Sequence, residues 1–213
     1  MEGKKDMSSR EKILSKIKEN SAKLMSSAGS TEDFDMPDFS LISPVTYPDT
    51  LEKFKETARQ VSGAKVEELR PDEDINVAIK RIYPEAKIIG SHLPEIEADI
   101  NPDSIECGKE LMKVDVGVVK GSFGVAENGC VWIPQTMKDR AICFACENLV
   151  ILLRKSDVVN NMHEAYEIIE KNPSYFDTYK FGTFISGPSK TADIESALVY
   201  GAQAARTVTL FLI

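Results

Sequence analysis

Residues 182–213 read GTFISGPSKTADIESALVYGAQAARTVTLFLI, and this stretch decides the fold class. The segments 182–187 and 207–213 are dense in β-branched and apolar residues, the composition of strands. Between them, residues 188–191 (PSKT) form a turn and residues 192–204 (ADIESALVYGAQA) carry the composition of a helix. A strand, a turn, a helix and a second strand make a crossover unit, which joins parallel strands of one sheet. Strands this continuously apolar are covered on both faces.

The same alternation runs back toward the N-terminus. Leu51, Phe54, Ala58 and Val61 predict a helix stopped by Gly63, followed by a strand over 65–69. Acidic residues in 71–74 open a second helix, with Ile75, Ile79 and Ile82 on one face, and Pro84 ends it. KIIGS (87–91) is the next strand. VDVGVVKGSFGVAENGCVWIP (114–134) reads as a strand pair broken at Gly121 to Gly124, ICFACENLVILL (142–153) as strand, and 157–171 as helix. Residues 49–213 therefore form one α/β domain with a mixed, mainly parallel sheet and helices on both faces. Ahead of it, residues 1–26 predict an amphipathic helical arm, capped by Ser8 or Ser9, with Ile13, Leu14, Ile17, Leu24 and Met25 on one face. Residues 27–48, rich in Ser, Asp and Pro, read as a linker or wrapping loop. Such an arm packs on its own domain, on a partner subunit, or on a second copy in a homo-oligomer.

Composition limits the partners. The 213 residues carry 34 acidic against 26 basic side chains, a net charge of −8 that repels nucleic acid and anionic lipid. No apolar run reaches membrane-spanning length and no signal peptide is apparent, so the expectation is a soluble, cytoplasmic protein. Cys143 and Cys146 form a C-x-x-C within an apolar run, but iron–sulfur or zinc sites need further ligands at short spacing. The pair reads as core cysteines, and no metal or particular cofactor is implied.

Two turns could carry chemistry. In the first, Ser186, Gly187, Ser189, Lys190 and Thr191 stand where the strand meets the expected helix. Hydroxyls, an ammonium and unpaired helix N-terminal amides in one place hold a carboxylate or phosphate. Spacing alone favours plain capping by Ser189 or Thr191, with Asp193 and Glu195 answering the helix dipole. Lys190 speaks for an anion, because a cation opposes the dipole at a helix N-terminus. The second turn holds Glu127, Asn128 and Gly129, with Lys120 and Gly121 upstream. A carboxylate there can act as a base, a nucleophile or a hydrogen-bond acceptor, while Asn-Gly is equally the favoured centre of an ordinary hairpin.

Together, GVVKGSFGVAENGCVWI (117–133) and the quoted C-terminal stretch resemble the LUD-domain family of LutC-like lactate-utilisation proteins. The resemblance implies a Rossmann-like fold similar to ribose-5-phosphate isomerase, glucosamine-6-phosphate deaminase and CoA transferases. It further implies a component of lactate or related hydroxy-acid oxidation that binds a small anionic metabolite beside iron–sulfur and cysteine-rich oxidoreductase subunits. Glu127, Asn128, Gly129, Lys120 and the 186–191 residues are then the expected ligand contacts. The chain departs from the family where Gln203 stands in place of a histidine, and where Asn128 replaces a threonine. Gln203 hydrogen-bonds but does not shuttle protons near neutral pH. His92 and His163 read as exposed substitutes of no obvious role. Ala126-Glu127-Asn128-Gly129 also resembles the Ser-Glu-Asn-Gly motif of family I CoA transferases, which implies acyl transfer with Glu127 as nucleophile. A non-catalytic interaction subunit is the third expectation.

Overall fold

The computed structural model describes residues 9–27, 43–70, 72–192 and 197–213. Contacts divide the chain into two compact units, 1–43 and 44–213. The first contains helix α1 (Ser9–Ser27), on which Ile13, Leu14 and Ile17 are exposed. Its expected cap Ser8, the side chains of Leu24 and Met25, and most of the expected linker lie outside the described residues.

The second unit opens with α2 (Thr50–Thr57), capped by Asp49 accepting from the Glu52 N–H at 2.9 Å. A π-helical turn over Ala58–Ser62 continues it and ends at Gly63, whose φ of +76° is the left-handed C-cap the sequence predicts. Next come β1 (Lys65–Glu68), α3 (Ile75–Ile82) and β2 (Ile89–Gly90). Asp74 caps α3 by accepting from the N–H groups of Asn76 and Val77. After a 3₁₀ turn the chain forms β3 (Val116–Lys120), β4 (Phe123–Val125), β5 (Cys130–Pro134), the helical turn α4 (Ile142–Ala145) and β6 (Asn148–Leu153). It ends with β7 (Val158–Val159), α5 (Met162–Lys171), β8 (Gly182–Ile185), β9 (Lys190–Thr191), β10 (Val199–Tyr200) and β11 (Thr207–Leu212).

The central sheet runs β1-β11-β6-β3-β2 with every pairing parallel. Alternate residues of its strands feed two cores. Leu149, Ile151, Leu153, Val208, Leu210 and Leu212 pack on one face, with Phe54 and Ala58 from the first helix. Val150, Leu152, Phe211, Val116 and Val118 pack on the other, against Ala78 and Ile79 of α3. Fully burying each such side chain contributes about 1.5–3 kcal/mol, which is why these strands read as unbroken apolar runs.

A second sheet, β7-β4-β5-β8, lies over the first core. Val131 and Ile133 face inward, while Phe123, Val125, Cys130 and Trp132 face Ala165 of α5, with the Trp132 and Phe184 rings 4.7 Å apart.

Three sequence expectations are corrected. The strand at 182–185 is half-buried and pairs antiparallel with β5 in the second sheet, so it does not end at the carboxyl edge of the parallel sheet. The helix expected over 192–204 is absent from its described part: β9 and β10 pair antiparallel and residues 201–204 form a bend, while 193–196 lie outside the described residues. Leu198, Val199 and Tyr200 are all exposed, so among the described residues of the segment no buried face rewards helical periodicity, and backbone pairing prevails over weak local propensity. Finally, Ile142–Ala145 is a helical turn and Val158–Val159 a short strand, because short apolar runs do not separate the two states.

Candidate functional site

The two turns singled out in the sequence meet at Ser62, the last residue of the π-helical turn. Its hydroxyl donates to the Asn128 carbonyl at 3.0 Å and lies 2.7 Å from the Ser186 hydroxyl, which also reaches the Asn128 carbonyl at 3.0 Å. Gly129 packs onto Ala58, so its missing side chain lets the hairpin turn approach the helix. Gly187 is held more tightly still: φ is +70°, and a Cβ there would collide with the Ser62 carbonyl. Only glycine suits both demands.

Lys190 completes this junction in an unexpected way. Its ammonium donates to the carbonyls of Ser62 (2.6 Å) and Val61 (3.2 Å), at the C-terminal end of the first domain helix. A cation there complements the helix dipole and satisfies carbonyls left without intrahelical partners. Among the described residues Lys190 begins a strand and no helix N-terminus stands beside it, so the electrostatic conflict inferred from one does not arise. Ser189 is tied through its backbone, donating to Ala205 and accepting from Gly201, and Thr191 pairs with Val199.

Glu127 is exposed and committed elsewhere: one carboxylate oxygen accepts from the Met162 N–H at 2.9 Å, the first turn of α5. Its own N–H donates to the carbonyl of Asn160, whose side chain accepts from the Tyr47 N–H and the Thr50 hydroxyl. Among the described residues it shares no hydrogen-bond partner with Lys190 or Ser186. Lys120 ends β3 at the carboxyl edge of the central sheet. The junction precedes β1 and β11, on the amino edge, so the structure does not bring Lys120 to it.

Ser62 and Asn160 escaped the sequence reading. Ser62 meets Asn128 and Ser186 across 66 and 124 residues of chain, and no local pattern marks such a partner.

Both histidines read as exposed, but only His163 is. His92 is half-buried, with Nε2 3.0 Å from the Thr136 hydroxyl; burial lowers its pKa, against the opposing carboxylates of Asp103 and Glu95. Cys143 and Cys146 are core residues, whose thiols burial pushes up to about 12 and about 11, far from the range of reactive thiolates. Gln203, in the place of the family histidine, lines a cleft of about 580 Å³ between α4 and the 201–206 bend. This cleft also lies on the amino edge, beside the starts of β6 and β11.

A parallel five-stranded sheet, backed by helices and overlaid by a smaller mixed sheet, with the unusual turns gathered at its amino edge, places the chain in the α/β class. The LUD-domain model matches residues 92–213, more than half of the sequence, and the chain belongs to that family. Lactate utilization protein C of Shouchella clausii (strain KSM-K16) is 30% identical over 116 residues, covering 53% of this chain and 51% of the relative. The chain thus spans about half the length of the curated relative it matches. The fold is similar to the crystal structure of a DUF162 family protein from Deinococcus radiodurans, with a TM-score of 0.59 and 13% identity over 79% of this chain and 99% of that one.

Proposed function

We propose that this protein is a LutC-like component of lactate or related small hydroxy-acid utilisation, working in the cytoplasm beside iron–sulfur and cysteine-rich oxidoreductase subunits that carry the electrons. Its own task is to bind a small anionic metabolite at the amino edge of the central sheet. The frame of that site is the junction of Asn128, Gly129, Ser186, Gly187, Ser189, Lys190 and Thr191, with Glu127 at its rim. The observation that carries the reading is the convergence of two family-like turns on Ser62, in a chain 30% identical over its matched part to a lactate utilization protein C. The absence of cluster-spaced cysteines from the sequence is consistent with a redox centre carried by a partner. Among the described residues no helix is long and apolar enough to cross a membrane.

Calorimetric titration of the full chain with L-lactate, D-lactate, pyruvate, sugar phosphates and acetyl-CoA tests the reading. Saturable binding of a lactate enantiomer is expected, with thermal stabilisation of about 2.7 kcal/mol once free ligand exceeds its Kd about a hundredfold. Lys190→Ala, which removes the tie between the 186–191 turn and the end of the first domain helix, is expected to weaken it. Heat from no hydroxy acid would overturn the proposal, and undiminished affinity in Lys190→Ala would remove Lys190 from the site.

A further inference from the structure

The cleft at the starts of β6 and β11 is lined both by apolar side chains, Phe144, Ala145 and Met112, and by polar ones, Gln203, Glu147 and Arg206. Phe144 and Met112 keep part of their surface exposed, so the apolar lining is open to a guest.

Arg206 is positioned by the backbone beneath it. Its N–H donates to the Glu147 carbonyl at 2.7 Å. Its stem passes over Gly201, where φ is +79° and a Cβ would stand only 2.8 Å from the Arg206 Cβ, so glycine is required for this approach. The guanidinium is held only by a loose, exposed ion pair. It lies 3.5 Å from the Glu147 carboxylate, longer than the roughly 2.7–2.9 Å of a charge-assisted hydrogen bond, and its side chain makes no hydrogen bond among the described residues. The N–H groups of Ala202, Gln203 and Ala204 likewise find no acceptor among the described residues. Successive unpaired amides beside a planar guanidinium fork suit a carboxylate. Glu147 adds selectivity, because an anion next to that carboxylate site accepts a hydrogen bond from a neighbouring hydroxyl but repels a bare oxygen.

We infer that this cleft binds a small 2-hydroxycarboxylate. The carboxylate pairs with the Arg206 fork and the 202–204 amides, the hydroxyl donates to Glu147, and the alkyl end lies toward Phe144. The inference rests on the hydroxy-acid reading above and places that ligand in the cleft beside the junction, none of whose residues lines it. The junction braces it from behind, through the Ser189 N–H on Ala205 and the Gly201 N–H on Ser189.

The test is titration of the full ¹⁵N-labelled chain with L-lactate, D-lactate, propionate and pyruvate, read from amide peak shifts. A lactate enantiomer is expected to saturate and to move the peaks of Ala202, Gln203 and Ala204. Propionate and pyruvate should bind about fivefold or more weakly, since each leaves Glu147 without its donor. Arg206→Gln is expected to weaken lactate at least about tenfold, and Arg206→Lys to restore only part of that. Glu147→Gln should bring lactate close to propionate while changing propionate by less than about threefold. The Arg206 side chain is 67% exposed, so its variants keep the fold, which the remaining peaks report. Lactate binding that Arg206→Gln leaves intact would overturn this inference alone. Failure of the native chain to bind either enantiomer would overturn the hydroxy-acid reading with it.

Discussion

Strand β6 and the β9–β10 hairpin are both rich in apolar residues, yet they are held by different forces. In β6, Val150 and Ile151 face opposite cores and neither is exposed. In the hairpin, Val199 is 40% and Tyr200 46% exposed, and the segment is held by backbone pairing to Lys190 and Thr191. Apolar burial on two faces specifies β6 whatever its neighbours do. The hairpin and its flanks depend on a handful of polar contacts with residues far away in the chain. This segment can therefore sit on the amino edge, thinly covered, while the sheet beneath it supplies the stability.

The comparison breaks most easily at Ile151. Ile151→Ala, at a fully buried position, is expected to cost about 2–5 kcal/mol in denaturant unfolding, against about 0.5 kcal/mol or less for Val199→Ala. Equal losses would show that the hairpin shares the core's packing. Next in size is Gly187→Ala, which sets a side chain against the Ser62 carbonyl at a left-handed φ and should cost about 2 kcal/mol, with the damage confined to the junction. Hydrogen exchange would locate it: faster exchange around Ser189 and Gly201 with β6 unchanged is the expected pattern, and uniform acceleration would contradict it.

The smallest effect belongs to the carboxyl edge. Glu68 is held down to about 2 by its hydrogen bond to Lys155 and then by the one to Lys55, from an ordinary value of 4.5. A depressed folded-state value means the contribution is complete above pH 4.5 and vanishes as the pH falls through 2. Because the Glu68 side chain is 45% exposed, solvent screening limits this to less than about 1 kcal/mol. Glu68→Gln should accordingly flatten the acid limb of the stability profile only slightly, and added salt should shrink the difference further.

Much of the fold was legible beforehand because its signals are local. Asp74 and Gly63 punctuate helices where caps are expected, and the density of Val, Ile and Leu in 148–153 and 207–212 marks strands buried on both sides. The candidate site was legible only as a set of unusual turns. Lys190 stands out in the sequence for its charge, but among the described residues it begins a strand rather than preceding a helix, and its partners are carbonyls 128 and 129 residues away. Lys120 stands just before the break expected at Gly121 to Gly124, but only the topology shows that β3 and β4 enter different sheets and leave it on the far edge.

By itself, the sequence determined that this chain folds around a parallel apolar sheet and belongs with the LUD proteins, because hydrophobic periodicity and motif chemistry act over a few residues. Only the tertiary structure decided which turns share an edge, that Lys190 caps a helix end, and that Arg206 meets Glu147 at 3.5 Å. Those outcomes depend on polar groups brought together across 58 to 129 residues. The free energy of each such contact is set by the partner it finds, which no local pattern encodes.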